Sequence, residues 1–348
     1  MPMKQKRVTL RVIAEETGVS LNTVSLALRG SPRLADKTKE RVQRAAKELG
    51  YQPNPVLAAG MAQLRTRQET ESGAVIACIH FLSWTEITRW AGHRHILIGM
   101  EQRAEELGYR LEKFHLESGV ASQRQIRNRM RNTGMPGALV IGPSSPDIEG
   151  QLLRIVEQYP VVKAGGELST LPLHFTESDH FAGTRLAVEK AVKMGAARPG
   201  LVINQGYDDL IGRRISGAYW AEVGRLPRGQ RIEPLLLPVV QKDGTLLEMP
   251  EAVRAWARKW RPDALITNQK NASRADWRAW LGSTRDIQLI QLGHHIEETQ
   301  DWPGITFPGR ENGRAAVDLL VAMIHRGEHG IPPFQKCSMV EGSWVEGA

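Results

Sequence analysis

The feature that most constrains this chain is a short helical hairpin at residues 9–30, TLRVIAEETGVSLNTVSLALRG. Apolar residues recur there at helical spacing, and Gly18 interrupts them with a turn, because a residue without a Cβ atom adopts positive φ easily. Ser20 then offers a hydroxyl that caps a second helix, which we expect over residues 21–29. The pattern predicts a helix-turn-helix, whose second helix reads the major groove of duplex DNA.

Positive charge is concentrated around the same segment. Residues 1–71 contain 13 Lys and Arg against 7 Asp and Glu, a net charge of +6, and the whole chain carries +8. Such an asymmetry is the electrostatic signature of a domain that binds a phosphate backbone. The charge and the helical hairpin therefore favour the same function for the N-terminal fifth of the chain.

The segment after the hairpin divides into a third helix, a hinge and a linker. We expect the helix over residues 36–49, capped by Asp36 and ended by Gly50. The sequence YQPNP that follows is incompatible with a regular helix, because each proline restricts the residue before it. Residues 56–64 are apolar enough for a helix but too few for one that is stable alone in water, and residues 65–73 are polar.

From residue 74 onward, short apolar strands alternate with helical patterns. We expect strands at 74–81, 110–116, 137–142, 160–164, 199–203, 233–239, 263–267 and 287–292. We expect helices at 95–107, 122–132, 149–158, 182–194, 211–223, 249–260 and 272–281. This alternation predicts an α/β fold with helices on both faces of parallel sheets. The segment is long enough for two doubly wound subdomains, with a ligand cleft at the carboxyl ends of their strands.

Several functional classes lack support in the sequence. There is no apolar run of a length that spans a membrane, and no apolar segment follows the basic N-terminus. We therefore expect a cytoplasmic location, with neither a secretory signal nor a membrane partner. Cys78 and Cys337 stand far apart without metal-ligand spacing and are expected to be reduced thiols. Nucleotide-binding glycine loops, nucleophile elbows and HExxH motifs are missing, so we expect no catalytic residue, metal or cofactor.

A dense set of head residues matches a known signature: Val8-Thr9-Leu10, Ile13-Ala14, Gly18-Val19-Ser20, Thr23-Val24-Ser25, Leu28, Arg41-Val42, Ala45 and Leu49-Gly50-Tyr51-x-Pro53-Asn54. Looser matches in the core are GALVIG at 137–142, Asp179 with Gly183, Arg214 with Gly217, ITN at 266–268 and RAAVDLL at 314–320. Through these residues the chain resembles the LacI/GalR (lac repressor) family of bacterial transcription regulators over its full length.

The resemblance implies a homodimer that binds a near-palindromic operator in double-stranded DNA. The implied domains are a helix-turn-helix head (1–52), a hinge helix with its linker (53–73) and a two-lobed core for effector binding and dimerisation (74–348). The N-terminal lobe would comprise about 74–176 and 306–332, and the C-terminal lobe about 177–305 and 333–348. The expected fold is therefore an all-α head joined to an α/β core, in which two doubly wound parallel-sheet subdomains resemble periplasmic sugar-binding proteins.

The resemblance also assigns DNA contacts within the head. Residues that resemble phosphate-positioning contacts are Thr9, Leu10, Ser20, Thr38 and Asn54. Residues at the family's base-reading positions are Leu21, Asn22 and Leu26. An asparagine pairs well with adenine in the major groove, whereas a leucine offers only apolar contact, for example to a thymine methyl group. Thr23, Ser25 and Arg29 complete the expected set. Leu26 stands where relatives often carry a polar residue, so their operator sequence does not transfer.

The hinge departs from the family pattern. Relatives usually place a leucine six residues after the asparagine of the Pro-Asn pair, where its side chain enters the minor groove. Gly60 holds that position here and has no side chain to insert. We expect Leu57 or Met61 to take the wedging role, with Leu64 as a further candidate. A hydrophobic wedge of this kind kinks DNA by partly unstacking a base step.

Four core residues are expected to contact an effector: Trp84, Arg214, Asn268 and His295. A guanidinium group suits hydroxyls or carboxylates, and an amide both donates and accepts, although a surface arginine and a turn cap are the alternative interpretations. Trp84 can stack on a sugar ring or pack against a lobe. His295 stands where relatives often carry a hydroxyl-binding aspartate. An unmodified hexose or pentose is therefore matched less well, but a carbohydrate remains the expected effector class.

The function implied is a sequence-specific regulator, expected to be a repressor, whose operator affinity is set by the effector. Whether the ligand releases or tightens DNA binding stays open at this point. A periplasmic-type sugar-binding protein is one alternative, but it leaves the basic head unexplained. A ligand-independent architectural DNA-binding protein is the other, but it leaves the cleft-forming core without a role. Neither alternative implies that the protein is an enzyme.

Overall fold

The computed structural model describes residues 8–28, 34–51, 74–81, 91–117, 120–142, 146–165, 171–238, 249–269, 272–282, 287–294 and 302–347. Its N-terminal head contains three helices, α1 (Leu10–Thr17), α2 (Leu21–Leu28) and α3 (Asp36–Glu48). Ile13, Val24 and Val42 come from one helix each, and all three side chains are fully buried in the centre of the head. The helical hairpin predicted from the sequence is confirmed.

The core continues as alternating strands and helices. The first run is β1 (Ala74–His80), α4 (Ala91–Glu106), β2 (Tyr109–His115), α5 (Val120–Thr133), β3 (Ala138–Ile141), α6 (Pro146–Val156), β4 (Val161–Ala164) and β5 (His174–Ser178). The second run is α7 (His180–Lys193), β6 (Pro199–Asn204), α8 (Gln205–Leu210), α9 (Arg214–Val223), a 3₁₀ turn (Arg228–Gln230), β7 (Leu235–Leu237), α10 (Met249–Trp260), β8 (Ala264–Thr267), α11 (Arg274–Leu281), β9 (Gln288–His294) and β10 (Gly304–Thr306). The last elements are α12 (Gly309–Arg326), β11 (Cys337–Val340) and β12 (Trp344–Val345).

These strands form two sheets, each of six strands in the described residues. The first sheet has the order β11-β5-β4-β3-β1-β2, and all its strands pair in parallel. The second has the order β12-β10-β9-β8-β6-β7, and only β12 is antiparallel to its neighbour. We call each sheet with its helices a lobe, the first and the second. The expected α/β core of two parallel-sheet subdomains is confirmed.

Helices cover both faces of each sheet, because the central strands are apolar on both sides. In β1, Ile76 and Cys78 pack towards α4 and α12, whereas the alternate residues Ala77 and Ile79 pack towards α5 and α6. The second sheet is covered in the same way, by α7 with α9 on one face and by α10 with α11 on the other. Buried parallel sheets of this kind account for the short, continuous apolar runs in the sequence.

Within the described residues the chain passes between the lobes three times. It crosses from β5 to α7, returns from β10 to α12, and crosses again from β11 to β12. This corrects the expected placement of 333–348 in the C-terminal lobe for β11, which pairs with β5 in the first sheet, whereas β12 of the same segment does lie in the second sheet. The first crossing also lies slightly later than expected, since β5 continues to Ser178.

Two other expectations differ from the structure. Asp36 does not cap α3: the N-cap residue is Ala35, and the Asp36 carboxylate instead accepts a hydrogen bond from Lys39 Nζ at 2.9 Å within the first turn. The sequence did not predict strands β5, β10, β11 and β12 or helices α8 and α12. Strands β10 and β12 have only three and two residues, too few to show a period of two, so their pairing partners define them.

Candidate functional site

The turn of the head presents the start of α2 to solvent. Gly18 adopts φ of +65°, and Val19 N–H donates to Ala14 O at 3.2 Å, which closes α1 in the conformation that glycine favours. Ser20 Oγ accepts a hydrogen bond from Thr23 N at 3.1 Å, as an N-cap does. The sequence prediction of both the turn and the cap is confirmed.

The reading surface of α2 is held from behind by the other two helices. Val24 and Ala27 of α2 are fully buried, and Gln43 Nε2 of α3 donates to Ala27 O at 3.1 Å at the C-terminal end of α2. On the opposite side, Leu21 is 51% exposed and Asn22 is also exposed. An apolar and an amide side chain therefore project together from the first turn of a rigidly packed helix.

The remaining predicted DNA contacts fall into three groups. Thr9 and Ser20 are exposed at the starts of α1 and α2. The partly buried residues are Leu10, Thr23, Ser25, Leu26 and Thr38, and Leu10 packs against the head core. Arg29, Asn54, Leu57 and Met61, with Gly60, lie outside the described residues.

A second candidate site lies where the two lobes meet at the carboxyl ends of β5 and β6. Arg214, the first residue of α9, forms an ion pair with Glu177 of β5 through its Nη1 atom and the carboxylate Oε2 atom. The pair therefore joins the second lobe to the first. The Glu177 side chain is 2% exposed and the Arg214 side chain 27%, so only the arginine remains accessible. Sequence analysis singled out Arg214 but not its partner.

Two asparagines order the neighbouring backbone of the second lobe. Asn204 Oδ1, at the end of β6, accepts from Tyr207 N at 2.8 Å and caps α8. Asn268 Oδ1, just after β8, accepts from Asn204 N at 3.2 Å. Asn268 thus links the ends of two adjacent strands through its oxygen, while its amide nitrogen is not used in that bond. The turn-bracing interpretation and the ligand-contact prediction are compatible in this geometry.

A histidine next to the first crossing was missed by the sequence analysis. His180 opens α7, packs edge-on against Phe307 at 4.4 Å between ring centroids, and has Tyr207 Oη 3.4 Å from its Nε2 atom. Burial lowers the pKa of His180 to about 4, so the ring is neutral at neutral pH. A further contact lies at the return crossing, where the Thr176 hydroxyl of β5 donates to the Asn312 side chain of α12.

The other two predicted ligand contacts, Trp84 and His295, lie outside the described residues. Within the described ranges, no cluster of three or more His, Cys, Asp or Glu side chains has the geometry of a metal site. The helices in those ranges include none with the length and apolar character of a membrane span.

Comparison with known proteins places the head in a family. A family profile described as bacterial regulatory proteins, lacI family, matches residues 9–54. The head is a helix-turn-helix domain of the LacI family. The whole chain is 26% identical over 246 residues to the HTH-type transcriptional regulator CelR of Thermobifida fusca, covering 70% of this chain and 66% of that protein. It is 24% identical over 213 residues to the regulator DegA of Bacillus subtilis (strain 168), covering 61% and 59%.

Solved structures show the same architecture over nearly the whole chain. The lac repressor dimer bound to operator and the anti-inducer ONPF superposes with a TM-score of 0.58 at 20% identity, covering 98% of both chains. The complex of the transcriptional regulator CelR with cellobiose superposes with a TM-score of 0.56 at 18% identity, covering 97% of this chain and 98% of that one. At these identities the likeness establishes the fold.

Proposed function

We propose that this chain is a sequence-specific transcriptional repressor, in which a small molecule bound between the lobes controls affinity for an operator. The observation that carries the proposal is the combination of parts. A basic head exposes Leu21 and Asn22 on a capped helix, and one continuous chain joins it to two doubly wound lobes. Neither a periplasmic-type binding protein nor an architectural DNA-binding protein requires both.

The effector class we propose is a carbohydrate. Two relatives support it, because CelR is described in complex with cellobiose and another LacI-family structure holds ribose. In this chain, Arg214 and Asn268 bring N–H donors to the carboxyl ends of the strands, where doubly wound sheets bind ligands. Sugar hydroxyls both donate and accept, so such donors and the carbonyls near them are suitable partners. We propose no catalytic role for this chain.

The proposed coupling runs through the contacts between the lobes. A ligand that binds one relative arrangement of the lobes more tightly shifts the population towards it. In the proposed dimer, that shift changes the spacing of the two heads and so the fit to two operator half-sites. Couplings of this kind typically amount to about 1–3 kcal/mol, or about 5- to 150-fold in affinity. The domain boundaries proposed are 1–52 for the head, 53–73 for the hinge and linker, and 74–348 for the core.

The hinge enters the proposal as a DNA-bending element. We propose that Leu57 or Met61 takes the minor-groove role for which Gly60 has no side chain. The test compares the bend angle of a bound operator fragment for the wild type and for the double variant Leu57→Ala, Met61→Ala. A reduced bend supports the proposal, and an unchanged bend refutes it.

The proposed function is tested with the full-length chain and genomic DNA fragments. Selection from a fragment library should enrich one site class, and that site should bind about 10³-fold or more tightly than random duplex at physiological salt. A panel of mono- and oligosaccharides is then added to the complex. A sugar that changes the operator affinity supports the proposed regulatory function. Its effect on expression from a promoter fused to a reporter gene shows whether the sugar relieves or strengthens repression.

Each alternative has its own outcome in that experiment. Sugar binding without any preference among duplexes indicates a binding protein. Site preference that no compound alters indicates an architectural protein. Sedimentation of the free chain should give a dimer at micromolar concentration, and a monomer with undiminished operator affinity contradicts the proposed symmetry.

A further inference from the structure

The ion pair between the lobes bears on the charge of the effector. Glu177 belongs to β5 of the first lobe and Arg214 to α9 of the second, and Arg214 Nη1 contacts Glu177 Oε2. The carboxylate is covered, with 2% of the side chain exposed, whereas 27% of the Arg214 side chain is accessible. A ligand at the crossing therefore meets a guanidinium group whose charge is already matched.

An anion that takes Arg214 for itself displaces the carboxylate. Glu177 would then be left as a buried charge without a counterion, which is strongly unfavourable in a site of low dielectric constant. The first residue of α7, His180, also lies beside this carboxylate, with its Nε2 atom 3.9 Å from Glu177 Oε1. Burial lowers the pKa of His180 to about 4, so this ring offers no positive charge at neutral pH.

Other charges at the start of α9 add to the effect. Asp208 Oδ1 accepts from the backbone N–H groups of Ile215 and Ser216, each at 3.1 Å, so a buried carboxylate occupies the N-terminal end of the helix. Asp209 Oδ1 accepts from Arg213 Nε at 2.7 Å. In the described residues, the guanidinium groups of Arg213 and Arg214 are thus surrounded by three carboxylates. These are Glu177, Asp208 and Asp209, and their excess negative charge disfavours an incoming anion.

We propose that Glu177 determines effector specificity: by neutralising Arg214, it makes the cleft selective for an uncharged polyhydroxylated ligand and excludes anions such as sugar phosphates and sugar acids. A neutral hydroxyl accepts a hydrogen bond from the remaining Arg214 N–H groups without separating the ion pair. An anion binds the same groups only by separating it. The inference rests on the proposed function, because it concerns the ligand of the same cleft.

Inorganic phosphate is the probe, because it reports on the freedom of Arg214 without knowledge of the effector. Calorimetric titration at constant ionic strength compares the full-length wild type with Glu177→Gln, with Arg214→Gln and with the double variant. We expect Glu177→Gln to bind phosphate at least tenfold more tightly than the wild type, and the double variant to lose this gain. Asp209→Asn is the matched control, because it removes the same charge beside the neighbouring Arg213, and it should bind phosphate no better than the wild type.

Two results overturn the inference. One is phosphate binding by the wild type that Arg214→Gln abolishes, since Arg214 would then be free despite Glu177. The other is a folded Glu177→Gln variant without Arg214-dependent phosphate binding. If that variant does not fold, Glu177→Asp provides the test, because its shorter side chain withdraws the carboxylate while keeping the charge. It should bind phosphate more tightly than the wild type, and equal affinity refutes the inference.

These titrations contain neither DNA nor effector, so they fail independently of the proposed function. A regulator whose operator affinity responds to a sugar phosphate would keep its proposed function and refute only the charge selectivity. A chain without any operator preference would lose the proposed function, whatever the phosphate titrations give.

Discussion

Gly99 of α4 lies directly against the backbone of Arg310 in α12: a Cβ atom built on Gly99 would be 2.0 Å from the Arg310 carbonyl oxygen. Gly313 of α12 makes the reciprocal contact, with its Cβ position 2.0 Å from Ile96 O. Helix α12 is the first element after the chain returns from the second lobe to the first. The close backbone contact with α4 therefore fixes the point at which the chain re-enters the first lobe. No side chain fits between the two helices at these points.

The first prediction is that Gly99→Ala strongly destabilises the core. The added methyl group meets backbone atoms, which move only if the helices separate, and overpacking of this kind costs about 3 kcal/mol or more. Urea unfolding should show a midpoint well below that of the wild type. Gly150→Ala is the control, because Gly150 lies within α6 with nothing near its Cβ position. That variant should be about 0.5–1 kcal/mol more stable. Equal midpoints for Gly99→Ala and the wild type would contradict the close crossing.

The second prediction separates the two roles of Ser20. Ser20→Ala removes the acceptor that Thr23 N uses and should cost about 1 kcal/mol of head stability. Hydrogen exchange of the α2 amides should accelerate accordingly. Ser20→Asp keeps an acceptor and adds a negative charge that a helix N-terminus favours, so exchange should stay slow. The same charge repels phosphates, so Ser20→Asp should weaken binding to every duplex, and unchanged DNA affinity would place Ser20 away from the backbone.

The third prediction concerns base reading by Asn22. Its exposed amide on the first turn of α2 should pair with one base, so Asn22→Ala should lose about 1–3 kcal/mol of discrimination at one position of each half-site. Selection from a random duplex library measures this as a relaxed preference at that position alone. Asn128→Ala, the same change in α5 of the core, should leave the selected sequence unaltered. Uniform weakening across all sequences would instead indicate a backbone contact.

The fourth prediction is a pH dependence that arises from Glu106. Its carboxylate accepts from Arg314 Nη1 and Nη2, both at 2.8 Å, and from Arg103 Nη1 at 2.8 Å. Hydrogen bonds from Arg314 and then Arg103 lower the pKa of Glu106 from 4.5 to about 2. The unfolded chain therefore takes up a proton at a higher pH than the folded chain, and stability present above pH 4.5 is lost as the pH falls towards 2.

Glu106→Gln should remove this contribution. The urea midpoint of the variant should fall less steeply than that of the wild type as the pH is lowered from about 5 to 3. Glu105→Gln, at the neighbouring exposed position on α4, is the control and should follow the wild type. Parallel curves for Glu106→Gln and the wild type would show that these surface pairs contribute nothing measurable, as many do.

Local features of the sequence account for the head and for most of the alternating strands and helices in the core. Gly18 and Ser20 act on neighbours within four residues, so their turn and cap are readable from the chain alone. The continuous apolar strands and the helices between them likewise depend on residues close in sequence, and their alternation already indicates two parallel sheets. The third helix was predicted in place, although Asp36 pairs within its first turn instead of capping it.

The arrangement of the lobes required the tertiary structure. Glu177 and Arg214 meet because the chain crosses between sheets at β5, and nothing in the periodicity of either segment encodes that contact. β11 lies in the first sheet, between the return of the chain at α12 and its last crossing to β12, and only its pairing with β5 defines that place. Such contacts join residues that are far apart in the sequence and are set by the topology of the chain. The pattern of neighbouring residues therefore predicts helices and strands, whereas only the folded structure shows which charged residues face each other between the lobes.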